Sequence, residues 1–325
     1  MGQPAKRDNR SFMLRLWQQL MIRAASSDRM RRFMQANPLS RRLARRFVGG
    51  EDLAAAIRKV EALGQQGLLS SIYYLGEYVD SPELVDINVR AIISTADALG
   101  QAQLPVFLSV DPTQIGYSVS GQVGCDNASS IGRVVGQYPS IKFMMLDMED
   151  SSYVDPTITL YHTLRDSGVP VAITLQTYLF RTEQDFEALA QQGAAIRLVK
   201  GAFVESKDMA WTKEHEIDDA YRRLARRALD PDLKAAGVYP IFATHDHRIL
   251  NELKPLIQAH HWQPDEYEFE MLLGVRTDLQ LQQAREGHCV RVYVPFGTEW
   301  WPYTARRIGE KPANGRFVLQ AFWGR

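Results

Sequence analysis

Residues 170–201, PVAITLQTYLFRTEQDFEALAQQGAAIRLVKG, contain one full structural repeat. Residues 170–176 (PVAITLQ) are a short apolar run with β-branched positions, bounded by polar sequence. Residues 182–192 then space their apolar positions as an amphipathic helix does. Residues 195–201 (AIRLVKG) return to strand character. Two neighbouring strands joined through a helix run parallel, because the crossover needs a dozen residues or more.

The same alternation extends in both directions. Strand-like runs occupy residues 70–76 (SSIYYLG), 105–111 (PVFLSVD), 141–147 (IKFMMLD), 239–245 (YPIFATH), 266–273 (EYEFEMLL) and 290–296 (VRVYVPF). With the first pair that makes eight, and amphipathic stretches such as residues 217–229 fill the gaps. Eight βα alternations within 325 residues predict an α/β fold, a (β/α)8 TIM-type barrel. A doubly wound open sheet is the competing arrangement, but no G-x-G-x-x-G follows the first strand to support it.

Two segments are expected: a basic helical arm over residues 1–50 and the barrel over 51–325. The whole chain has 38 basic and 38 acidic residues, which gives no overall reason to expect nucleic acid as a partner. The balance is uneven along the chain. Residues 1–50 hold twelve Lys or Arg against two Asp, a net of +10, so the remainder carries −10. The arm's arginine pairs at 31–32, 41–42 and 45–46 fit either a solvated helix face or contact with an anionic membrane surface. No apolar run is long enough to span a bilayer, and no signal-peptide core opens the sequence. Cys125 and Cys289 form no metal or disulfide pattern, and free thiols in a reducing compartment are expected.

Active sites of such barrels are built at the C-terminal ends of the strands. In this sequence those ends carry Glu77, Asp111, Asp147 with Glu149, Gln176, Lys200, and Thr244-His245-Asp246. Water-facing strand ends explain one polar residue, but explain so many poorly. Arg197 and Lys200 are separated by an odd offset, so Lys200 belongs at or past the end of its strand. Both cations would serve an anionic cofactor, and Gly201 would let backbone approach it; a simple rim salt bridge is the other reading. In residues 303–310 (YTARRIGE), helical spacing puts Tyr303, Arg306 and Arg307 on one face, with Glu310 in reach of either arginine. Paired guanidiniums beside a ring suit a small carboxylate, although a surface helix with internal ion pairs has the same spacing. His245 with Asp111, Asp147 and Glu149 also suits a divalent metal in a barrel hydrolase. No two-His spacing supports that alternative, and no metal is expected.

Taken together, residues 290–314 (VRVYVPFGTEWWPYTARRIGEKPAN), 197–203 (RLVKGAF), 242–246 (FATHD), 268–274 (EFEMLLG), 146–153 (LDMEDSSY), 175–178 (LQTY) and 75–77 (LGE) resemble the proline dehydrogenase family of the bacterial monofunctional type. The resemblance runs in order from about residue 45 to the end. It implies a distorted (β/α)8 barrel holding FAD. It also implies oxidation of L-proline to 1-pyrroline-5-carboxylate, with hydride passing from the ring carbon beside nitrogen to flavin N5. Electrons would go on to a membrane quinone, from a cytoplasmic enzyme peripheral to the inner face of the membrane.

The resemblance assigns residues as well. Arg306 and Arg307 would grip the substrate carboxylate, with Glu310 holding the pair and Tyr303 packing on the ring. Arg197, Lys200, Gly201, Ala202, Gln176, Thr244 and His245 would line the FAD. Asp147 would lie beside the substrate, and Glu77 would gate the site with one of the arginines. Three positions depart from the family's usual pattern. The family's Lys-Leu-Thr-Gln-Leu-Gly after strand two is here Asp111-Pro-Thr-Gln-Ile-Gly116, a two-unit change of local charge worth about 1–4 kcal/mol. Phe296 and Phe203 each stand where the family usually has a tyrosine, and Phe296 would touch the part of the pocket that judges ring substituents. A modified proline, another cyclic amine, or a silent homologue acting as a binding protein is therefore the alternative expectation.

Overall fold

The computed structural model describes residues 27–76, 79 and 81–310. Eight parallel strands close on themselves in sequence order: β1 (Leu69–Tyr74), β2 (Val106–Val110), β3 (Ile141–Leu146), β4 (Val171–Gln176), β5 (Ala195–Val199), β6 (Tyr239–Ala243), β7 (Glu268–Leu272) and β8 (Val290–Phe296). Closure comes from β1 pairing with β8, from Leu69 opposite Arg291 to Tyr74 opposite Phe296. The distortion that the resemblance implies has a local counterpart, a register shift between Val106 and Phe107 where β2 meets β3. All eight expected strands are present, and β5 stops at Val199, which leaves Lys200 just beyond its end.

Helices cover the outside: α3 (Leu53–Gly64), α4 (Pro82–Gln101), α5 (Gly121–Val135), α6 (Val154–Asp166), α7 (Thr182–Ala190), α8 (Glu214–Arg227), α9 (Pro231–Ala235), α10 (His247–Ala259) and α11 (Thr277–Arg285). Several of their starts are fixed by side-chain caps. Ser81 accepts from Leu84 N–H, Ser120 from Val123 N–H and Asp246 from Arg248 N–H. The main apolar core fills the layer between strands and helices, with Ile72, Leu108, Leu146, Leu198 and Val292 among its buried strand residues.

The barrel's interior is a separate packed volume. Phe107, Met145, Ala172, Ala195 and Ile241 cluster there, with the Phe143 and Tyr239 rings against them. Alanines on β4 and β5 make room for rings from β2, β3 and β6, the large-opposite-small packing that fills such barrels. The Arg291 guanidinium lies 3.3 Å from the Phe107 ring centre. It is paired to Glu268 and donates to Ser70 O at 2.6 Å. These groups close the floor, at the strands' N-terminal ends.

Part of the basic arm is described. It forms α1 (Asp28–Ala36) and α2 (Pro38–Ala44), which pack against α12 (Trp300–Glu310), the helix that follows β8. Met34, Ala44, Phe47 and Val48 share one apolar cluster with Tyr73, Leu75, Trp300, Trp301 and Tyr303. Two backbone bonds seam the junction, Gly49 N to Pro295 O at 2.7 Å and Gly297 N to Gly50 O at 2.9 Å. Residues 1–26 lie outside the described residues.

Candidate active site at the barrel mouth

Arg197 is the centre of the mouth. Its side chain points inward from β5 and is 4% exposed. Nε and Nη2 reach Glu270 on β7 at 2.6 and 3.0 Å, and Nη1 pairs with Asp147 after β3. Ser71 and Ser109 sit at 3.4 and 3.3 Å from Nη2, and Ser71 also donates to Glu270 at 2.7 Å. Burial opposes a charge on Arg197, but Glu270 and Asp147 outweigh it and hold the group a cation. Burial likewise pushes the Asp147 carboxyl above its ordinary range, against the pull of Arg197 and of the Tyr293 hydroxyl.

Two tyrosines extend this network. Tyr293 on β8 donates to Asp147 Oδ2 at 2.7 Å. Its ring stacks on Tyr73 of β1, with centres 5.7 Å apart, and the Tyr73 hydroxyl donates to Asp111. Two strand-end carboxylates singled out by sequence therefore each receive a phenol, and Arg197 is held by one of them. Glu149, in contrast, braces the backbone. It accepts from Thr113 N–H at 2.7 Å and from the Thr113 hydroxyl at 2.6 Å, pinning the turn after β2 to the end of β3.

The other rim residues surround the ends of β4 to β6. The Gln176 amide donates to Glu149 O at 2.6 Å. Thr244 is buried, and its hydroxyl accepts from Asp246 N–H at 3.2 Å. His245 Nε2 accepts from Leu272 N–H at 2.9 Å, which puts the neutral ring's proton on Nδ1. Lys200 pairs with Asp218 at 2.5 Å and lies 4.0 Å from Asp246. Arg248 helps hold Asp246 down to a pKa of about 2. Gly201 has φ +111°, and a Cβ there would fall 2.2 Å from the Tyr178 ring. The close approach expected of Gly201 is thus made by Tyr178, whose hydroxyl donates to Phe203 O at 3.2 Å. Ala202 is exposed on the same loop. Glu205 ties this loop to the β3 end by accepting from Ser151 N–H and its hydroxyl at 2.8 and 2.7 Å. Among the described residues, no three His, Cys, Asp or Glu side chains come together as a metal-ligand group.

On α12, Tyr303 is buried in the same cluster as Tyr73 and, at its edge, Tyr293, so this helix packs against the β1–β8 side of the mouth. The Arg307 guanidinium lies 5.3 Å from the Tyr303 ring centre. The side chains of Arg306 and Glu310, and all of Glu77, lie outside the described residues. Phe296 is not brought to the mouth. Its odd offset from Tyr293 turns it to the other face of β8, and its ring packs 5.5 Å from Tyr74 in the layer under the helices. The inward β8 residue is Tyr293, which the sequence reading missed along with Glu270 and Tyr73. A signal existed: Glu268 and Glu270, like Arg291 and Tyr293, occupy alternate positions, which places each pair on one strand face.

Comparison with known proteins agrees with this architecture. The sequence model of the family described as Proline dehydrogenase matches residues 56–320. The protein named Proline dehydrogenase from Deinococcus radiodurans is 38% identical over 283 residues, 86% of this chain and 89% of that protein. Proline dehydrogenase 1 of Bacillus subtilis strain 168 is 34% identical over 277 residues, 85% of this chain and 89% of its own. In three dimensions, proline utilization A from Bdellovibrio bacteriovorus, inactivated by N-propargylglycine, superposes with a TM-score of 0.75 at 21% identity, over 83% of this chain. Proline utilization A from Corynebacterium freiburgense gives 0.72 at 19% identity, over 95% of this chain. This chain spans about a third of those larger proteins, 32% and 35%. Those two likenesses speak to the barrel alone, whereas the family match and the 34–38% identities span most of the sequence. The chain belongs to the proline dehydrogenase family.

Proposed function

We propose that this protein is an FAD-dependent dehydrogenase that oxidises L-proline to 1-pyrroline-5-carboxylate. The observation that carries this reading is the Arg197–Asp147–Tyr293 network, which meets a helix bearing Tyr303 and Arg307 at the same mouth.

The donor set suits the cofactor. Arg197, Lys200, Gln176, Thr244 and His245 bring cations and polar groups to one arc of the rim, and the buried Thr177 hydroxyl beside them has no hydrogen-bond partner among the described residues. Such a set fits the polar edge and diphosphate of FAD, and Gly201 and Ala202 would line the same arc. Bound FAD supplies the two-electron acceptor that no side chain can provide.

The chain's own residues bind and orient. Arg306 and Arg307 grip the substrate carboxylate, with Glu310 fixing the pair, Tyr303 packing on the ring and Glu77 closing the gate. Holding the ring in one attitude converts binding energy into orientation. Asp147 and Glu270 fix Arg197 so that its charge needs no reorganisation during reaction. For the electron acceptor we favour a membrane quinone, reached through peripheral contact of the basic arm with the inner face of the membrane. The +10 charge of residues 1–50 supports that contact.

Arg307→Met tests the carboxylate grip. Apparent KM for L-proline rises by about a hundredfold or more, while flavin content, read from absorbance, stays at the wild-type level. Unchanged KM removes the grip from the mechanism. Asp111 favours a second reading, in which the ring substrate is modified.

A further inference from the structure

Building on the mouth as the flavin site, we propose that Glu270 sets the redox poise of the bound cofactor: it is a positioning residue that fixes Arg197 and offsets the positive charge Arg197 presents to the flavin. Glu270 lies on β7 and is 3% exposed. Its Oε2 accepts from Arg197 Nε at 2.6 Å and its Oε1 from Nη2 at 3.0 Å, a bidentate contact that fixes the plane of the guanidinium. Ser71 on β1 donates to the same Oε1 at 2.7 Å. One carboxylate thus ties β1, β5 and β7 together across the barrel. Asp147 meets Arg197 at Nη1 alone and divides between that contact and the Tyr293 hydroxyl.

The balance of charge sets this pair apart from its twin. Nearer the floor, Glu268 and Arg291 make the same fork, one carboxylate to one guanidinium, against the Phe107 ring. Arg197 instead pairs with two carboxyl groups among the described residues, Glu270 and Asp147. One would balance it. A buried ion pair returns little net stability for the desolvation it costs, so packing alone gives no reason for the second. At the mouth a surplus charge has an effect. Its field is weakly screened there and falls on whatever binds beside Arg197. Reduction adds negative charge to a flavin, which Arg197 favours and Glu270 opposes. Glu270 therefore lowers the midpoint potential, which makes substrate oxidation less favourable and electron release to the acceptor more so.

The test is an anaerobic redox titration of the flavin-loaded full-length enzyme against an indicator dye. Glu270→Gln keeps the shape and removes the charge. It is expected to favour the reduced flavin about tenfold, an upward shift of about 30 mV. Glu270→Asp keeps the charge and is expected to stay within about threefold of the wild type. Ser71→Ala removes the hydroxyl that screens Glu270 and is expected to favour the oxidised flavin by about threefold. That shift has the opposite sign, which a general loosening of the mouth would not produce, and so small a change decides the matter if Glu270→Gln does not fold. An unmoved or lowered potential in Glu270→Gln overturns the proposal, and so does an unmoved or raised one in Ser71→Ala. An equal rise in Glu270→Asp overturns it too, by tracing the effect to geometry. A lower urea midpoint with the potential unmoved leaves Glu270 a structural ion-pair partner only. Bound flavin with an unmoved potential sinks the role of Glu270 alone, whereas wild-type protein that takes up no flavin sinks the site reading with it.

Discussion

Arg197 shows how one side chain organises a mouth. A buried guanidinium is tolerated because two carboxylates and two serine hydroxyls surround it, and removing any carboxylate would leave charge without compensation. Asp246 shows a different balance at the rim, where the charge is paid for by Arg248 and Lys200 nearby. Its pKa of about 2 lies below the unfolded aspartate value, so the native state binds this proton less tightly than the unfolded one. The stability it contributes is present above about pH 4 and is lost as pH falls from there towards 2. Asp246→Asn keeps the helix cap and removes the charge. Melting temperatures between pH 6 and pH 2 should fall less steeply in this variant than in the wild type. Parallel curves would mean that the Arg248 contact adds nothing.

At the level of elements, the junction of the arm with the barrel is tight enough to be tested by one methyl group. Gly274, just past β7, has φ +72°, and a Cβ there would sit 1.9 Å from Arg46 O. Both the conformation and the backbone contact exclude a side chain. Gly274→Ala is expected to cost about 2–4 kcal/mol in urea unfolding and to speed tryptic cleavage at Arg41–Arg46. Unchanged cleavage would detach that glycine from the arm's seating. The strands themselves were legible in the sequence, because a βα rhythm repeated eight times survives errors of a residue or two at each end. Inward and outward faces were not legible. Every residue of β2 and β4 is buried, so hydrophobicity does not alternate and gives no parity. On β8 six of the seven residues are buried as well, so nothing in the hydrophobicity corrects the pocket position that the resemblance gives Phe296 or singles out Tyr293. Lys200 succeeded because its odd offset from Arg197 is a geometric constraint and owes nothing to hydrophobicity.

For the whole molecule, zero net charge conceals an uneven distribution along the chain, basic over residues 1–50 and acidic over the remainder. No described helix is long and apolar enough to cross a membrane. Arg41, Arg42, Arg45 and Arg46 are exposed on the arm. Each is worth about 1 kcal/mol near an anionic leaflet, and salt screens the attraction. Changing all four to Gln should weaken co-sedimentation with phosphatidylserine vesicles by tenfold or more at low salt, with no wild-type binding to neutral vesicles. Equal sedimentation of both proteins would assign the arm a purely solvated role.

Among the described residues, Arg291, Glu268 and Phe107 stopper the far end of the cylinder, which leaves the mouth as the door in the proposed reaction. Anything admitted to the chamber must retreat by the way it came. A fuel molecule and an electron carrier that both need that entrance therefore cannot be served in a single pass. In the proposed reaction they would alternate, and a bound flavin would hold two electrons in the interval between visitors.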